Sequence, residues 1–352
     1  NGVEVSFCPG AVQEKVYSKL LPTVKSVPWS LCLPPKEYKA ALKNFMTAVS
    51  IMDVDSSYYD TVYSAFKRLT SKFQAFSVDV EKMRIAFDNA NDSLMTHLES
   101  CLPGENGLVN PPQYDFFGTR TGRLIVSSGP MVLTLPKDQR GIFLPQKGSR
   151  IVQIDFSSLE PRLLSALAKL PSIEGDLYEE ISKQCFSGKL PRDKTKVALL
   201  GILYGMSVDT LSTHIQLPID DCRVILSTVK KHFKIKEILA KIDRETMGDF
   251  TKNFFGKVIE LNKSSMLNNY VQSSGVDVVH IGFDKLIADA EFMSVGFKPM
   301  FLVHDALVGE VSEKNFQLLK SLVDKGFHCS QLNCVFPMTI DDFAKTTSNS
   351  EQ

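Results

Sequence analysis

The chain has 352 residues, 43% of them hydrophobic and 23% charged, so it belongs to the ordinary globular class and is long enough for two or three lobes. Its 40 basic residues balance 40 acidic ones, so the net charge gives no argument for nucleic acid as a partner. The longest apolar run, near residues 197–206, is far below the roughly 18 residues that a membrane span needs, so we expect no membrane partner.

The seven cysteines bear on the redox compartment. They are scattered, odd in number and without a C-x-x-C pair. This pattern indicates an intracellular, reducing compartment and does not predict a zinc site. The chain opens on Asn1 rather than on methionine, so we expect it to be processed or cut from a longer chain.

The N-terminal part is predicted to be helical after an irregular start. Residues 1–35 are rich in proline and β-branched residues and carry no motif. Residues 36–76 have the pattern of two amphipathic helices separated near 53–57. An apolar stripe over residues 79–101 predicts one longer helix, which the Pro- and Gly-containing residues 103–107 end.

A basic segment follows. Residues 120–150 contain one acid, Asp138, against six basic residues: Arg120, Arg123, Lys137, Arg140, Lys147 and Arg150. Such a segment is suited to follow a phosphate backbone, although a solvated loop has a similar composition.

The next feature is an acid at a predicted strand-to-helix junction. Residues 151–154 are rich in β-formers, and Asp155 follows where a strand presents side chains to a ligand. Ser157 and Glu160 then have the spacing of a capping box, so a purely local role in starting the following helix is the alternative to a site.

Four residues at four-residue spacing follow in the predicted helix of residues 191–204. Arg192, Lys196, Leu200 and Tyr204 fall on one stripe of this helix. Two cations suit a triphosphate and the ring suits a base. Taken singly, Lys196 is more often a surface lysine and Tyr204 a core aromatic.

A second acid lies far along the chain. Residues 301–308 form an apolar, hairpin-like run that His304 and Asp305 interrupt, within a predicted strand, strand, helix, strand order over 297–343. A carboxylate embedded in hydrophobic strands is costly unless it is paired or binds a cation. Two strands that bring Asp155 and Asp305 together would form a divalent-metal site.

These motifs together resemble one family. Their order and spacing over residues 119–343 are similar to those of family A DNA polymerases, the DNA polymerase I type. The resemblance also includes Thr121-Gly122-Arg123-Leu124, Phe143-Leu144-Pro145, Asn253-Phe254-Phe255-Gly256-Lys257 and Tyr270-Val271-Gln272. It implies an α+β right-hand fold with an antiparallel palm sheet, helical fingers and a much reduced helical thumb.

The resemblance also implies domain boundaries. An N-terminal helical segment would occupy residues 1–78, and a thumb remnant 79–118. The palm would comprise residues 119–175 and 269–352, with the fingers at 176–268 between them.

The implied chemistry is the transfer of a dNTP to a primer 3′-hydroxyl with release of pyrophosphate. Two Mg²⁺ ions, or Mn²⁺ as a substitute, would be held by Asp155, the Phe156 carbonyl and Asp305. Arg192 and Lys196 would bind the phosphates, and Lys196 would also protonate the pyrophosphate. Leu200 and Tyr204 would contact the nucleotide. Glu160 would exclude a 2′-hydroxyl, which selects DNA over RNA.

Primer-template DNA is the implied partner. Its expected contacts are Arg123, Arg140, Gln272 and His304. For Gln272 the alternative of a helix cap or a solvent-facing side chain has equal weight.

Departures from the family pattern qualify the prediction. Ala306 stands where the family has a glutamate after His-Asp, so we expect reduced activity. Residues 131–134 lack the usual polar Asn-Leu-Gln-Asn, and the short thumb predicts a weak grip on DNA. Leu200 resembles certain viral members and predicts discrimination against dideoxynucleotides.

Two alternatives stay open. One is a single-subunit RNA polymerase or primase-like nucleotidyltransferase, which Glu160 disfavours. The other is a catalytically weakened DNA-binding subunit of a replication complex. For the leading interpretation, a separate processivity or exonuclease subunit is an expected partner, and host cytoplasm is favoured over an organelle matrix if the protein is viral.

Overall fold

The computed structural model describes residues 33–51, 56–261 and 265–344. It divides the chain into two compact units, residues 1–56 and 57–352. In the first unit the described part is essentially one helix, α1 (Pro35–Ile51), which is the first of the two helices predicted for residues 36–76. Nearly all of the irregular start at 1–35 lies outside the described residues.

The second unit opens with helices. A π-helical segment at Tyr59–Tyr63 leads into α2 (Ser64–Ser71), the second predicted helix. The region predicted as one helix over 79–101 contains two, α3 (Val80–Asp88) and α4 (Asp92–Ser100), so that prediction was wrong. The break occurs because the Asn91 side chain accepts a hydrogen bond from the Leu94 amide and starts a new helix.

Short extended segments connect these helices to the main sheet. They are β1 (Ser77–Val78), the hairpin of β2 (Gln113–Asp115) and β3 (Ile125–Ser128), a 3-10 helix at Lys137–Ile142, and β4 (Phe143–Leu144). Strand β4 pairs antiparallel with β1, which fixes the 3-10 helix beside the start of α3.

The main sheet has four antiparallel strands in the order β12-β5-β9-β8. Their bounds are β5 (Ser149–Phe156), β8 (Lys298–Val303), β9 (Ala306–Ser312) and β12 (Met338–Asp342). Strand β5 is therefore central, and it pairs with a strand from the far end of the chain on each side.

Both faces of this sheet are buried over most of β5. Alternate side chains of a strand point to opposite faces, so Val152 and Ile154 lie in the large core, whereas Ile151 lies in a smaller core with Val308 and Met83 of α3. Gln153 and Asp155 share the face of Ile151. The acid at the end of β5 is therefore held by a strand with little freedom to move.

Helices follow β5. Their bounds are α5 (Leu159–Leu167), α6 (Leu177–Phe186), α7 (Arg192–Leu203), α8 (Val208–Ile215), α9 (Ile219–His232) and α10 (Ile235–Glu245). The hairpin of β6 (Phe250–Lys252) and β7 (Val258–Glu260) ends this part. The predicted helix over 191–204 thus corresponds to α7.

The long helix α11 (Met266–Phe292) crosses the second unit. It has 27 residues, of which 15 are buried, and it carries the Tyr270-Val271-Gln272 motif near its start. After β8 and β9 come α12 (Phe316–Val323), β10 (Phe327–Cys329), β11 (Cys334–Phe336) and β12. The predicted strand, strand, helix, strand order holds with one addition, the β10–β11 hairpin.

The α+β class predicted from the sequence is confirmed. The described helices include none that combines the length and the apolar character needed to cross a lipid bilayer. Five cysteines fall within the described residues, and all five are free thiols: Cys101, Cys185, Cys222, Cys329 and Cys334.

Candidate active site

The two predicted acids lie side by side at one end of the sheet. Asp155 is the penultimate residue of β5, and its Cα partner on β9 is Ala306. Val303 also pairs with Ala306, so His304 and Asp305 form the tight turn between β8 and β9. His304 has φ +56°, the left-handed conformation that such a turn requires. Asp305 therefore precedes the residue directly opposite Asp155.

The surroundings of Asp155 disfavour ionisation of its carboxyl group. The pKa of this carboxyl is raised to about 6, chiefly by burial and also by the charges of Asp305 and Asp341. A hydrogen bond from Gln153 and the charge of Arg140 act in the opposite direction and limit this rise in the pKa. Asp341 reaches this position because it pairs with Gln153 across β12 and β5. A bound divalent cation would relieve the repulsion among these carboxylates.

The side chains at this position suit a metal ion that takes only some of its ligands from the protein. Within the described ranges, no group of three or more His, Cys, Asp and Glu side chains is arranged to hold a metal ion. Mg²⁺ is commonly bound by one or two carboxylates, with water and substrate phosphates completing its shell. Two neighbouring aspartates meet this requirement, with Mn²⁺ also acceptable to oxygen ligands.

Arg140 and Gln153 form a chain of hydrogen bonds that ends at the Asp155 carboxylate. The Gln153 Nε2 donates to Asp155 Oδ2 at 2.5 Å, and Arg140 Nη1 donates to Gln153 Oε1 at 3.0 Å. Arg140 is only 8% exposed and lies over the Phe343 ring, 4.9 Å from its centre. Burial under the sheet gives no support to the prediction of Arg140 as a DNA contact. It favours a role towards Asp155.

Glu160 is held by residues from two other segments. Tyr204 donates its hydroxyl to Glu160 Oε2 at 2.9 Å, and Arg123 Nη2 lies 3.8 Å from Glu160 Oε1. The capping box of Ser157 and Glu160 does not form, because the residue preceding α5 is Ser158, in the left-handed conformation and without a side-chain cap. The Glu160 carboxylate is therefore available to the cleft.

Gln272 connects Arg123 to helix α11. With its amide oriented to satisfy both ends, Gln272 accepts hydrogen bonds from Arg123, with Nη2 at 2.8 Å, and donates to Thr121 Oγ1 at 2.8 Å. The alternative of a cap or a solvent-facing side chain therefore does not describe Gln272.

One cleft unites these segments. It has a volume of about 90 Å³, and its lining includes five of the predicted site residues: Arg123, Glu160, Gln272, His304 and Asp305. In the sequence they are separated by up to 182 positions, from Arg123 to Asp305. Whether Arg123, Gln272 and His304 contact DNA remains a prediction.

The stripe on α7 lies where its spacing predicted. Arg192 and Lys196 are exposed, Leu200 is half-buried, and Tyr204 directly after the helix is 50% exposed. The Arg192 Nε and Nη2 atoms each lie 2.8 Å from Asp176 Oδ2, an ion pair that the sequence did not predict. Arg192 must therefore exchange a carboxylate for a phosphate if it binds a nucleotide.

Sequence reasoning missed a buried polar network beside the cleft. Asp277 is fully buried and accepts hydrogen bonds from Tyr58 Oη at 2.9 Å and from Asn253 Nδ2 at 2.6 Å. Lys257 lies over the Phe116 ring at 4.2 Å. Its Nζ would be 2.3 Å from a Cβ placed at Gly122, so a side chain at residue 122 would force the lysine to move. The segment carrying Arg123 is thereby packed against the β6–β7 hairpin.

Comparison with known proteins places these features in a family. A family model described as DNA polymerase family A matches residues 87–344. The chain is 24% identical over 277 residues to DNA polymerase I of Aquifex aeolicus, a match that covers 70% of this chain and 46% of that protein. It is 25% identical over 237 residues to the thermostable DNA polymerase I of Thermus aquaticus, covering 58% of this chain and 28% of that protein. The chain thus spans less than half the length of these relatives.

A solved structure agrees at the level of the fold. The POL domain of Pol1 from M. smegmatis, in complex with DNA primer-template and dNTP, matches with a TM-score of 0.54 and 14% identity. The match covers 82% of this chain and 65% of that one. Since the family model covers well over half of the sequence, the chain belongs to DNA polymerase family A.

Proposed function

We propose that this chain is a template-directed DNA polymerase that adds dNTPs to a primer 3′-hydroxyl by two-metal nucleotidyl transfer. The observation that carries the proposal is that Asp305 directly precedes Ala306, the residue paired with Asp155 across the β5–β9 ladder. Membership of DNA polymerase family A supports the reaction class. Primer-template DNA and dNTPs are the proposed partners, as in the complex formed by the structurally similar POL domain.

The reaction joins the primer oxygen to the α-phosphorus and breaks the bond from that phosphorus to the pyrophosphate oxygen. Two bound Mg²⁺ ions would lower the pKa of the attacking hydroxyl and neutralise charge on the leaving group. Asp155 and Asp305 would hold the ions, with the Phe156 carbonyl as a further proposed ligand. The chain's own part in this step is to fix one carboxylate on strand β5 and the other in the tight turn between β8 and β9.

The stripe on α7 is proposed to bind the incoming nucleotide. Lys196 is exposed and would give a proton to the leaving pyrophosphate. Arg192 would leave Asp176 and bind a phosphate. Nucleotide binding would therefore change the contacts of the N-terminal end of α7. Tyr204 and Leu200 would lie against the base and sugar. The hydrogen bond from Tyr204 to Glu160 ties this end of α7 to the start of α5.

Glu160 favours DNA over RNA as the product. Because Tyr204 and Arg123 restrain its carboxylate, Glu160 would occupy the space that a 2′-hydroxyl requires. This placement disfavours the alternative of an RNA polymerase or primase-like nucleotidyltransferase.

The proposed reduced thumb is supported by the small size and the packing of α3 and α4. Helix α3 and helix α4 have nine residues each, and their buried residues Met83 and Leu98 belong to the small core under the sheet. Helices used in this way have little length left to grip a duplex, so we propose weak processivity and a need for a separate processivity or exonuclease subunit. In a run-length assay on a long template, the chain alone should add few nucleotides per binding event, and long unassisted synthesis contradicts this.

A viral origin and a reducing compartment are further parts of the proposal. Leu200 resembles certain viral members of the family, and host cytoplasm would be the corresponding location. The free thiols among the described residues are compatible with a reducing environment.

Primer extension tests the main proposal. With Mg²⁺, a primer-template and separate dNTP or rNTP pools, a DNA polymerase extends the primer with dNTPs and an RNA polymerase with rNTPs. The weakened subunit of a replication complex, which Ala306 suggests, binds the duplex without product. An Asp155→Ala variant should lose extension. Equal extension by this variant contradicts the two-aspartate site.

A further inference from the structure

We propose that Gln153, oriented by Arg140, is a positioning residue that fixes the Asp155 carboxylate for cation binding. The inference rests on the proposed two-aspartate site, and it adds residues to that site that no family motif in this sequence includes. Gln153 lies two positions before Asp155 on β5, so both side chains point to the same face of the sheet.

The direction of the two hydrogen bonds is fixed by chemistry. A guanidinium can only donate, so Arg140 must meet the oxygen end of the Gln153 amide, at 3.0 Å. The amide nitrogen then has one orientation, towards Asp155 Oδ2 at 2.5 Å. A carboxylate only accepts, so this arrangement matches donor to acceptor at both ends. Arg140 thereby determines which end of Gln153 faces the acid.

Arg140 is itself immobilised. Its side chain packs over the Phe343 ring, and its 3-10 helix is fixed by a 2.7 Å hydrogen bond from the Asp79 amide to the Ile142 carbonyl. Lys82 of α3 also donates to the Gly141 carbonyl, at 3.3 Å. The start of α3, within the segment predicted as a thumb remnant, therefore supports the 3-10 helix that carries Arg140.

The contact matters because strand β9 offers the Asp155 side chain no polar support. Its partner on that strand, Ala306, has only a methyl group. With Oδ2 bound by Gln153, rotation of the carboxylate is restrained. Partners that orient a metal ligand commonly account for about 10- to 100-fold in metal affinity or activity.

A purely structural role is the alternative. Gln153 would then serve only to satisfy the buried Arg140, and its loss would lower stability without a specific effect on cation binding. The two roles differ in a measurement of Mn²⁺ affinity on folded protein.

The test compares four variants by Mn²⁺ titration, with free Mn²⁺ followed by electron paramagnetic resonance, and by thermal unfolding in EDTA. Gln153→Leu should weaken Mn²⁺ binding about tenfold or more. Glu310→Gln is the matched control, since Glu310 is equally buried on β9 and binds the Gln146 amide rather than Asp155, so its Mn²⁺ affinity should be unchanged. Half-saturating Mg²⁺ in primer extension should shift in parallel.

The remaining variants distinguish a failure of the positioning role from a failure of the two-aspartate site. Arg140→Met combined with Gln153→Leu removes the buried cation that the single variant leaves unpaired, so it keeps the test valid if the single variant unfolds. Because Arg140 acts through Gln153, the double variant should bind Mn²⁺ no more weakly than Gln153→Leu. Near wild-type affinity in these variants, with loss in Asp155→Ala, overturns the positioning role alone. Unchanged affinity in Asp155→Ala overturns the two-aspartate site itself.

Discussion

Replacing Asp155 by asparagine is expected to stabilise the metal-free protein at alkaline pH. The carboxyl has a pKa of about 6 in the folded state, against an ordinary value of 3.8, chiefly because it is buried. Proton binding by Asp155 therefore favours the folded state, and this contribution is complete below pH 3.8 and lost as the pH rises through 6. Asparagine carries no charge, so the variant does not lose stability over this range.

The difference between pKa values of 3.8 and about 6 corresponds to about 3 kcal/mol of unfolding free energy. The full difference should appear at about pH 8, where the wild-type carboxylate is ionised in both states. At about pH 4 the two proteins should have nearly equal stability. The Gln153 amide can still donate to the side-chain oxygen of the introduced asparagine, so the supporting hydrogen bond does not confound the comparison.

The measurement is denaturant unfolding in EDTA at about pH 4, 6 and 8 for wild type, Asp155→Asn and Asp220→Asn. Asp220 is 88% exposed, so its variant should show no comparable pH-dependent gain. Added Mg²⁺ should stabilise the wild type and Asp220→Asn but not Asp155→Asn, and should therefore reduce the difference in stability between Asp155→Asn and the wild type at about pH 8. If Asp155→Asn is no more stable than wild type there, the account of a strained, buried carboxylate is refuted.

Three further variants test other parts of the site. Glu160→Ala should raise ribonucleotide use in competitive primer extension by about tenfold or more, whereas Glu160→Gln, which keeps the side-chain size, should not. Leu200→Tyr should increase incorporation of a dideoxynucleotide in competition with the natural substrate because it supplies a hydroxyl, and an equal gain in Leu200→Phe would contradict this reason. Asn253→Ala should lower the unfolding free energy by about 3 kcal/mol in a denaturant titration, since four hydrogen bonds are lost, and a change under about 1 kcal/mol would contradict the proposed network.

The parts of the site that the sequence predicted are those with a local pattern. Asp155 and Asp305 were recognisable as charges within apolar strands, and the β5–β9 register places them next to each other. The stripe on α7 followed from helical spacing alone. In these cases the periodicity of one element determines the direction in which a side chain points.

The parts that it missed depend on contacts between distant segments. Gln153 has the position of an ordinary inward-facing strand residue, and only its meeting with Arg140 of another segment gives it a role. The burial of Arg140 was missed because a basic segment has the same composition whether its cations are exposed or buried, and its contact with DNA stays a prediction. The break at Asn91 was missed because the apolar stripe continues across it. Asp277, Asn253 and Tyr58 are joined only by the fold.

The long helix α11 has a mechanical consequence. Its 27 residues span about 40 Å at about 1.5 Å each, and core side chains enclose most of its circumference. A helix whose buried side chains pack into the core along most of its length is expected to stay rigid while less buried segments open. Amide hydrogens in the middle of α11 should then exchange with deuterium only through global opening, while those of α7 exchange through smaller excursions.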